Sequence, residues 1–235
     1  MPKTILITGS TDGIGLETAK LLAAAGHNVL LHGRNPHKLA EAARILSAMR
    51  DGGSVETYNA DLSRIADVEA LASEVTGRHS GLDVLINNAG SLINKPFLEI
   101  SSSDFEAVFK VNVFAVASLT RLMLPMINAK GHVLNITSMG GVQGSAKFPG
   151  LSAYSSSKGA LVILTELLAE EFKDSGPSFN ALALGAVQTE MLEEAFPGYK
   201  APVSAVQMAE YIIDFALKGH QFYNGKVLPI SSSTP

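Results

Sequence analysis

Short apolar segments alternate with longer amphipathic segments from one end of the chain to the other. Several of the short segments are apolar at consecutive positions, as in strands that are buried on both faces of a parallel sheet. They comprise residues 5–8, 29–32, 55–59, 84–87, 133–137, 179–184 and 227–230. Strands that alternate with helices at this spacing are joined by right-handed crossovers. The pattern therefore predicts an α/β fold: a doubly wound, seven-stranded parallel sheet with helices on both faces.

The segments between the strands repeat their apolar residues with the period of a helix. The expected buried faces are Ile14, Thr18, Leu21, Leu22 and Ala25 in the first helix, Leu39, Ala42, Ala43 and Leu46 in the second, and Val68, Leu71, Ala72 and Val75 in the third. A later helix is expected to begin at Ser103 or Asp104, because both residue types favour the N-cap. No linker or repeat interrupts the pattern, so residues 1–235 are expected to form a single domain.

Composition narrows the classes of function. The formal net charge is −4 without long runs of one sign, which argues against a nucleic-acid-binding groove. The absence of cysteine excludes disulfides, thiolate chemistry and Cys-based metal sites, and the 6 histidines lack ligand spacing, so no metal is expected. The first apolar run is too short for a signal peptide or a membrane span. We therefore expect a cytoplasmic protein without a membrane partner.

A glycine-rich loop follows the first strand directly, in Thr8-Gly9-Ser10-Thr11-Asp12-Gly13-Ile14-Gly15. Glycines let the backbone turn tightly and approach a pyrophosphate, whose charge the N-terminus of the next helix stabilises. Tight strand-to-helix turns without a ligand also contain glycines, but the position at the first β–α junction favours a dinucleotide site on a Rossmann-like fold. The expected cofactor contacts are Gly9, Ser10, Thr11, Gly13, Ile14 and Gly15.

Three motifs together resemble the short-chain dehydrogenase/reductase family, over essentially the whole chain. They are the TGxxxGxG loop, Asn87-Asn88-Ala89-Gly90 after the fourth strand, and the YxxxK pair Tyr154 and Lys158. The resemblance implies a single dinucleotide-binding and catalytic domain. It also implies further cofactor contacts at Asp61, Leu62, Asn88, Ala89, Gly90, Tyr154, Lys158, Val187 and Thr189. For Asp61 an ordinary N-cap role, shared with Ser63, is the alternative.

The end of the second strand indicates which nicotinamide cofactor is used. An acid there binds the ribose 2′-hydroxyl of NAD, whereas an arginine accommodates the 2′-phosphate of NADP. The strand ends in His32-Gly33-Arg34-Asn35, so Arg34 predicts NADP(H), with Lys38 as a possible assistant. Asp12 opposes this preference, because some NADP-using relatives have Lys or Arg at its position. NAD(H) therefore remains an alternative.

Tyr154 and Lys158 lie four residues apart and project from the same face of a helix. Reduction of a carbonyl by hydride leaves an alkoxide that needs a proton, and a nearby cation can lower the pKa of a tyrosine enough to supply it. Ser138, at the carboxyl end of the fifth strand, can hydrogen-bond the substrate oxygen. Asn112 lies within an apolar helix, where asparagine is unfavourable without a buried polar role. In the family it completes an Asn–Ser–Tyr–Lys tetrad and holds a water on the proton path.

The chain departs from the family pattern in three places. The segment of residues 139–152 is longer than is usual in the family, which predicts a longer loop over the pocket. The expected substrate lid, residues 190–203, is short, and its Met191, Leu192, Phe196 and Tyr199 indicate a moderately apolar carbonyl or alcohol. The usual acidic, glycine-rich end is replaced by residues 231–235, which leaves the packing of the tail open.

These features predict an NAD(P)-dependent oxidoreductase that interconverts a carbonyl and an alcohol. Hydrolase and P-loop motifs are absent from the sequence. The alternative is a non-catalytic protein that senses NADP(H), which the fold alone does not exclude. Surplus apolar residues on two helices predict a homodimer or homotetramer. These residues are Phe105, Val108, Phe109, Val113, Val116, Leu119, Leu122 and Met123 on one helix, and Leu161, Leu164, Leu167, Leu168 and Phe172 on the other.

Overall fold

The computed structural model describes residues 1–231, so residues 232–235 of the unusual tail lie outside the described residues. Its strands are β1 (Thr4–Ile7), β2 (Asn28–Gly33), β3 (Val55–Asn59), β4 (Leu82–Asn87), β5 (Ile127–Ser138), β6 (Ser178–Leu184), β7 (Val187–Gln188), β8 (Val203–Ser204) and β9 (Lys226–Ile230). Its α-helices are α1 (Gly13–Ala24), α2 (Pro36–Met49), α3 (Ile65–Arg78), α4 (Ser102–Phe109), α5 (Ala115–Met123), α6 (Ser152–Glu171), α7 (Glu190–Ala195) and α8 (Ala205–Lys218).

Seven strands form one parallel sheet in the order β3-β2-β1-β4-β5-β6-β9, which confirms the predicted Rossmann-like fold. The order reverses between β1 and β4, which pair in parallel through Ile5 with Val84 and Ile7 with Ile86. In an open α/β sheet, ligands bind outside the carboxyl ends of the strands at such a switch point. The short strands β7 and β8 pair with each other, away from the main sheet.

Alternate residues of the central strands enter two apolar cores, one on each face of the sheet. Ile5 and Ile7 join one core, together with residues of α1, α2 and α8. Leu6 joins the other, together with residues of α3 and α5. Because both faces are covered, consecutive strand positions are apolar, and each fully buried Leu or Ile contributes about 1.5–3 kcal/mol.

The structure corrects the predicted buried face of the first helix. Leu21 is only partly buried and Ala25 is exposed, because α1 ends at Ala24 and Ala25 is its C-cap. The buried face is formed by Gly15, Thr18, Ala19, Leu22 and Ala23. The buried faces of α2 and α3 are as predicted, except that Ala43 of α2 is only partly buried.

The start of α4 also differs from its prediction. The N-cap is Ser101, whose hydroxyl oxygen accepts a hydrogen bond from the Asp104 N–H at 3.1 Å. The Asp104 carboxylate in turn accepts the Ser101 N–H at 3.0 Å. This capping box satisfies two helix-end donors at once, whereas a cap at Ser103 or Asp104 itself would satisfy fewer.

Helices α4 and α5 are joined without a break by a π-helical turn, Lys110–Phe114. Within residues 1–231, the segment Ser102–Met126 alone is long and apolar enough to cross a membrane, with a mean hydropathy of 1.5. Its Thr120, however, accepts a hydrogen bond from Asn87 of β4 at 3.2 Å. The segment therefore packs on the sheet as one layer of the Rossmann-like fold.

Many of the apolar residues expected at an oligomer interface are core residues instead. They are buried within the chain itself, and comprise Val108, Val116, Leu119, Met123 and Leu161. The apolar side chains that stay exposed on these helices include Phe114, Ile163 and Leu167. Helical period alone could not separate the two groups, because α4, α5 and α6 are apolar on more than one face.

Candidate active site

The glycine loop connects β1 to α1 and lies against the segment that follows β4. Gly9 has a φ of 64°, and a Cβ there would lie 2.9 Å from the Ala89 Cα. A Cβ at Gly15 would overlap the Gly9 carbonyl oxygen. The Asn88 amide donates to the carbonyl oxygens of Thr8 and Gly9, at 3.0 and 2.9 Å. The two predicted cofactor motifs are therefore one folded unit that only glycine at these positions permits.

The N-terminus of α1 is suited to an anion. Asp12, its N-cap residue, makes no capping hydrogen bond through its side chain within the described chain, and the first turn carries no acidic residue. The free N–H groups of that turn are donors without partners in the helix. Gly13 has a φ of 52°, a conformation that favours glycine. These features fit the pyrophosphate of a nicotinamide dinucleotide.

His32 holds the glycine loop in place, a role that the sequence analysis missed. Its Nδ1 accepts the Gly9 N–H at 3.1 Å, so its Nε2 carries the proton and donates to the Ala60 carbonyl oxygen at 3.1 Å. The Ser10 hydroxyl is buried and bonds both main-chain groups of His32, at 3.0 and 3.3 Å. Burial lowers the pKa of His32 to about 4, so the imidazole is neutral at pH 7. Ser10 thus supports the loop through its hydroxyl.

Arg34 follows β2 and is exposed, and within residues 1–231 it forms no salt bridge. Thr11 packs over Gly33 beside it, where a Cβ would overlap the threonine methyl group. Asp61 has its pKa lowered mainly by the Ser63 N–H, and to a smaller extent by Arg34. A free guanidinium therefore stands where the ribose end of a dinucleotide is expected.

Asp61 and Leu62 lie in the connection between β3 and α3. The Asp61 carboxylate accepts the Ser63 N–H at 2.9 Å, and Leu62 is buried in the core. Neither Asp61 nor Ser63 is the N-cap of α3, which is Arg64. The alternative interpretation of Asp61 as a simple cap residue is therefore wrong.

Ser138 and Tyr154 meet at the carboxyl end of β5. The Ser138 side chain lowers the Tyr154 pKa, but burial raises it more, so the pKa lies above the ordinary value. Residues 139–151 connect β5 to α6, and Gly140 and Gly141 pack against α6. The loop therefore leaves Tyr154 beside Ser138.

Lys158 is buried, and its Nζ donates to the Ile136 carbonyl oxygen at 2.8 Å. It lies 5.7 Å from the centre of the Tyr154 ring. Burial lowers the Lys158 pKa to about 8. In the chain by itself, loss of solvent dominates Tyr154 and holds its pKa above the ordinary value.

Asn112 lies in the π-helical turn and is completely buried. Its side chain accepts the Ser91 N–H at 2.7 Å and donates to the Ser91 carbonyl oxygen at 2.9 Å. It also donates to the Ser157 hydroxyl at 2.9 Å, which donates to the Tyr154 carbonyl oxygen at 2.7 Å. A Cβ at Gly90 would lie 3.6 Å from both Asn112 Oδ1 and Lys158 Nζ. Asn112 thus joins the β4–α4 segment to the helix that carries the Tyr–Lys pair.

The expected lid, residues 190–203, follows β7 and contains α7. Val187 is buried, and Thr189 caps α7 by accepting the Leu192 N–H at 3.2 Å. A Cβ at Gly13 would lie 3.4 Å from the Thr189 methyl group, so the lid starts beside the glycine loop. At the other end of α7, the Asn94 amide donates to the Ala195 carbonyl oxygen at 2.8 Å.

A cation bridges the glycine loop and the lid. Lys38 Nζ lies 3.3 Å from the Asp12 carboxylate and 3.2 Å from the Glu190 carboxylate. These two hydrogen bonds raise the Lys38 pKa. The negative charge of Asp12, which opposes NADP in the sequence, is therefore paired.

Together, a Rossmann-like sheet, a phosphate-type glycine loop at its switch point and a Ser–Tyr–Lys cluster beside that loop define a dinucleotide-binding oxidoreductase. Known proteins agree with this class. The family model described as short chain dehydrogenase matches residues 3–200. The chain therefore belongs to the short-chain dehydrogenase family, whose members act on alcohol and carbonyl groups.

Similar sequences carry dehydrogenase and other names. Nodulation protein G of Rhizobium sp. (strain N33) is 34% identical over 202 residues, 85% of this chain and 79% of the relative. D-beta-hydroxybutyrate dehydrogenase of Rhizobium meliloti is 30% identical over 222 residues, which cover 93% of this chain and 84% of the relative. L-2,3-butanediol dehydrogenase of Corynebacterium glutamicum is 32% identical over 198 residues, which cover 83% of this chain and 75% of the relative. The chain spans 64% of the length of similar, uncharacterized mycobacterial oxidoreductases.

Solved structures of similar fold include complexes with either nicotinamide cofactor. The RhlG/NADP complex of Pseudomonas aeruginosa is 28% identical with a TM-score of 0.87, covering 99% of this chain and 96% of that one. The 3-ketoacyl-(acyl-carrier-protein) reductase of Brucella melitensis with NADH is 25% identical with a TM-score of 0.83, covering 97% and 96%. A nicotinamide cofactor is thus supported, and the choice between the two depends on this chain's own residues.

Proposed function

We propose that this chain is an NADPH-preferring oxidoreductase that interconverts a carbonyl and an alcohol, with Tyr154 as general acid and base. The observation that carries the proposal is the meeting of Ser138 with Tyr154 at the end of β5, with Lys158 Nζ 5.7 Å from the tyrosine ring. A sensor that only binds the dinucleotide has no need for this cluster. Residues 1–235 are proposed to act as one dinucleotide-binding and catalytic domain.

Each polar group of the site has a role in moving one proton. The bound cofactor supplies or accepts the hydride. During reduction, the Tyr154 hydroxyl gives its proton to the substrate oxygen as the C–H bond forms, and Ser138 hydrogen-bonds that oxygen. Lys158 provides positive charge that stabilises the resulting tyrosinate. We propose that Asn112 completes the proton path by fixing the segment beside Lys158, as the family resemblance implies.

The dinucleotide is proposed to lie over the glycine loop. Main-chain groups of Gly9, Ser10, Thr11, Gly13, Ile14 and Gly15 would hold the pyrophosphate, and Asp61, Leu62, Asn88, Ala89, Gly90, Val187 and Thr189 would line the rest of the site. Thr189 already caps α7 through its hydroxyl, so any contact with the carboxamide would share that oxygen.

The decisive test is turnover by wild type and by Tyr154→Phe. NADPH oxidation is followed with a panel of ketones and aldehydes, and the expected loss in the variant is at least about a hundredfold, because a positioned proton donor contributes about that much. Tyr211→Phe, which removes a hydroxyl from an exposed tyrosine of α8, is the matched control and should keep its activity. Cofactor binding without turnover by wild type, across the panel, would favour the sensor instead.

The preference for NADPH is proposed from Arg34, whose guanidinium is exposed and unpaired in the described chain. A guanidinium can bind a phosphate through two charge-assisted hydrogen bonds. Arg34→Ala should therefore weaken NADPH binding about tenfold or more in a fluorescence titration, and leave NADH binding nearly constant. Arg44→Ala, which removes an exposed arginine already paired with Glu41, is the control. Equal losses for both cofactors would refute the role of Arg34.

We also propose that the enzyme works in the cytoplasm as a homodimer or homotetramer. Exposed Phe114, Ile163 and Leu167 on the helices that carry Asn112 and Tyr154 support the assembly. Light scattering coupled to size exclusion tests it, and a monomer at micromolar concentration would contradict it.

A further inference from the structure

A pocket of about 180 Å³ lies between the lid and the segment that follows β4. It is lined by Leu92, Asn94, Met191, Glu194 and Ala195. A cavity of about 150 Å³ holds a molecule the size of benzene. This pocket is therefore large enough to accept one end of a small substrate. Its wall combines three apolar side chains with one amide and one carboxylate.

Asn94 connects this pocket to the proposed reaction centre. Its amide holds the lid at Ala195, while its Oδ1 lies so close to Gly150 that a Cβ there would overlap it. The next residue, Lys95, donates its N–H to the Gly150 carbonyl oxygen at 3.0 Å. Gly150 is four residues before Tyr154. The pocket is therefore attached to the loop that leads into the helix of the Tyr–Lys pair.

Glu194 differs from the other acidic residues of α7. Glu190 pairs with Lys38 at 3.2 Å, and Glu193 accepts the Gly198 N–H at 3.0 Å. Glu194 is exposed, and its carboxylate makes no hydrogen bond or salt bridge with any of residues 1–231. A carboxylate without a partner beside a pocket leaves a negative field there.

The cation on the facing segment does not cancel that charge. Lys95 Nζ lies 2.9 Å from the Asp104 carboxylate, outside the pocket. A substrate that enters beside Leu92 and Met191 therefore meets the amide of Asn94 and the unpaired carboxylate of Glu194. The amide can accept or donate a hydrogen bond, whereas the carboxylate can only accept one.

From this arrangement we infer that Glu194 selects substrates by charge. The pocket favours small ketones and alcohols that bear a neutral hydroxyl or a cationic amine next to the reacting carbon, and disfavours those that bear a carboxylate. The inference rests on the proposed function and names its substrate class. It also adds a polar requirement to the moderately apolar substrate expected from the lid residues.

Three methyl ketones of matched size test this selection: hydroxyacetone, aminoacetone and pyruvate, with NADPH as the hydride donor. Each gains a hydride at the carbonyl carbon and a proton on its oxygen. We expect kcat/KM for pyruvate to be at least about tenfold below that for hydroxyacetone, the effect of about 1.4 kcal/mol, and aminoacetone to match or exceed hydroxyacetone. In Glu194→Gln the ratio of pyruvate to hydroxyacetone should rise about fivefold or more. In Glu193→Gln, the matched control, it should change by less than about twofold.

Binding of the same ketones to the full chain with NADP⁺, which cannot reduce them, is measured in parallel by saturation-transfer NMR. Turnover with a ratio that is unchanged by Glu194→Gln would overturn the charge selection and leave the proposed function intact. Absent turnover with charge-ordered binding that Glu194→Gln abolishes would overturn the proposed function and support the pocket. Absent turnover with binding that ignores charge would refute both.

Discussion

Two histidines are buried in the folded chain without a charged partner. His32 is 3% exposed and bonds Gly9 and Ala60. His132 is fully buried, and its ring bonds the Ala216 carbonyl oxygen and the Asn180 amide, both at 3.0 Å. Burial lowers the pKa of each imidazole from 6.5 to about 4. The folded chain should therefore lose stability in acid at these two sites.

The magnitude follows from the pKa difference. Between pH 6.5 and 4 each imidazole binds its proton in the unfolded chain but not in the folded chain, so the free energy of unfolding falls as the pH is lowered through this range. A difference of about 2.5 pKa units corresponds to about 3 kcal/mol for each histidine. This is a large part of the stability of an ordinary domain, about 5–15 kcal/mol.

The assay is urea unfolding at a series of pH values from 7.5 to about 4, followed by circular dichroism. His32→Asn and His132→Asn each remove one titrating group, so the loss of stability from pH 7 to 4 should be smaller by about 3 kcal/mol in each variant than in wild type. Their absolute stability at pH 7 is expected to fall, because ring hydrogen bonds are lost. The comparison therefore uses the slope against pH.

His37→Asn removes an exposed imidazole and should keep the slope of wild type. The reasoning is refuted if the slopes of His32→Asn and His132→Asn equal that of wild type, because acid would then act only through other groups. A second consequence concerns His32 alone. Protonation of its Nδ1 removes the acceptor of the Gly9 N–H, so NADPH binding should weaken with acid in wild type.

Three further predictions concern the site. Gly15→Ala places a methyl group over the Gly9 carbonyl oxygen, so NADPH binding in a fluorescence titration should weaken at least about tenfold. Ser157→Ala removes the hydroxyl between Asn112 and the Tyr154 turn, so urea unfolding should show a loss of about 1–2 kcal/mol. The reductase rate should decline above about pH 8, where Lys158 loses its proton, and Lys158→Arg should move that decline to higher pH because arginine stays charged.

The first two of these have matched controls. Gly77→Ala adds a methyl group where nothing lies within 4 Å and should leave cofactor binding at the wild-type value. Ser156→Ala removes an exposed hydroxyl of the same helix and should cost less than Ser157→Ala. An alkaline decline at the same pH in wild type and Lys158→Arg would show that another group controls it.

Sequence patterns predicted the fold well because burial on both faces leaves its mark on every central strand. The patterns missed the start of a strand where strand pairing depends only on main-chain hydrogen bonds. β5 begins at Ile127, six residues before the predicted start, although Asn128 and Lys130 are exposed there. Its first residue pairs with Leu82 of β4 across a register shift, and main-chain bonds do not require apolar side chains.

Sequence motifs located the candidate site residues, whereas the hydrogen-bond partners of those residues are visible only in the tertiary structure. Asn112 stands out in the sequence as a polar residue in an apolar helix, but nothing local indicates that Ser91 and Ser157 satisfy it. His32 directly precedes the Gly33-Arg34 motif, and its link to Gly9 appears only when β1 and β2 pair. Glu194 resembles Glu193 in sequence, and only the folded lid distinguishes them.

The lysine between the glycine loop and the lid makes ionic strength relevant to both. Lys38, Asp12 and Glu190 are each about half exposed, so dissolved salt screens their attraction within a Debye length of about 10 Å at 0.1 M. A phosphate bound at Arg34 would draw on the same ammonium group that holds Glu190. If the phosphate binds there as proposed, it and the Glu190 carboxylate compete for one positive charge, and added salt weakens both attractions.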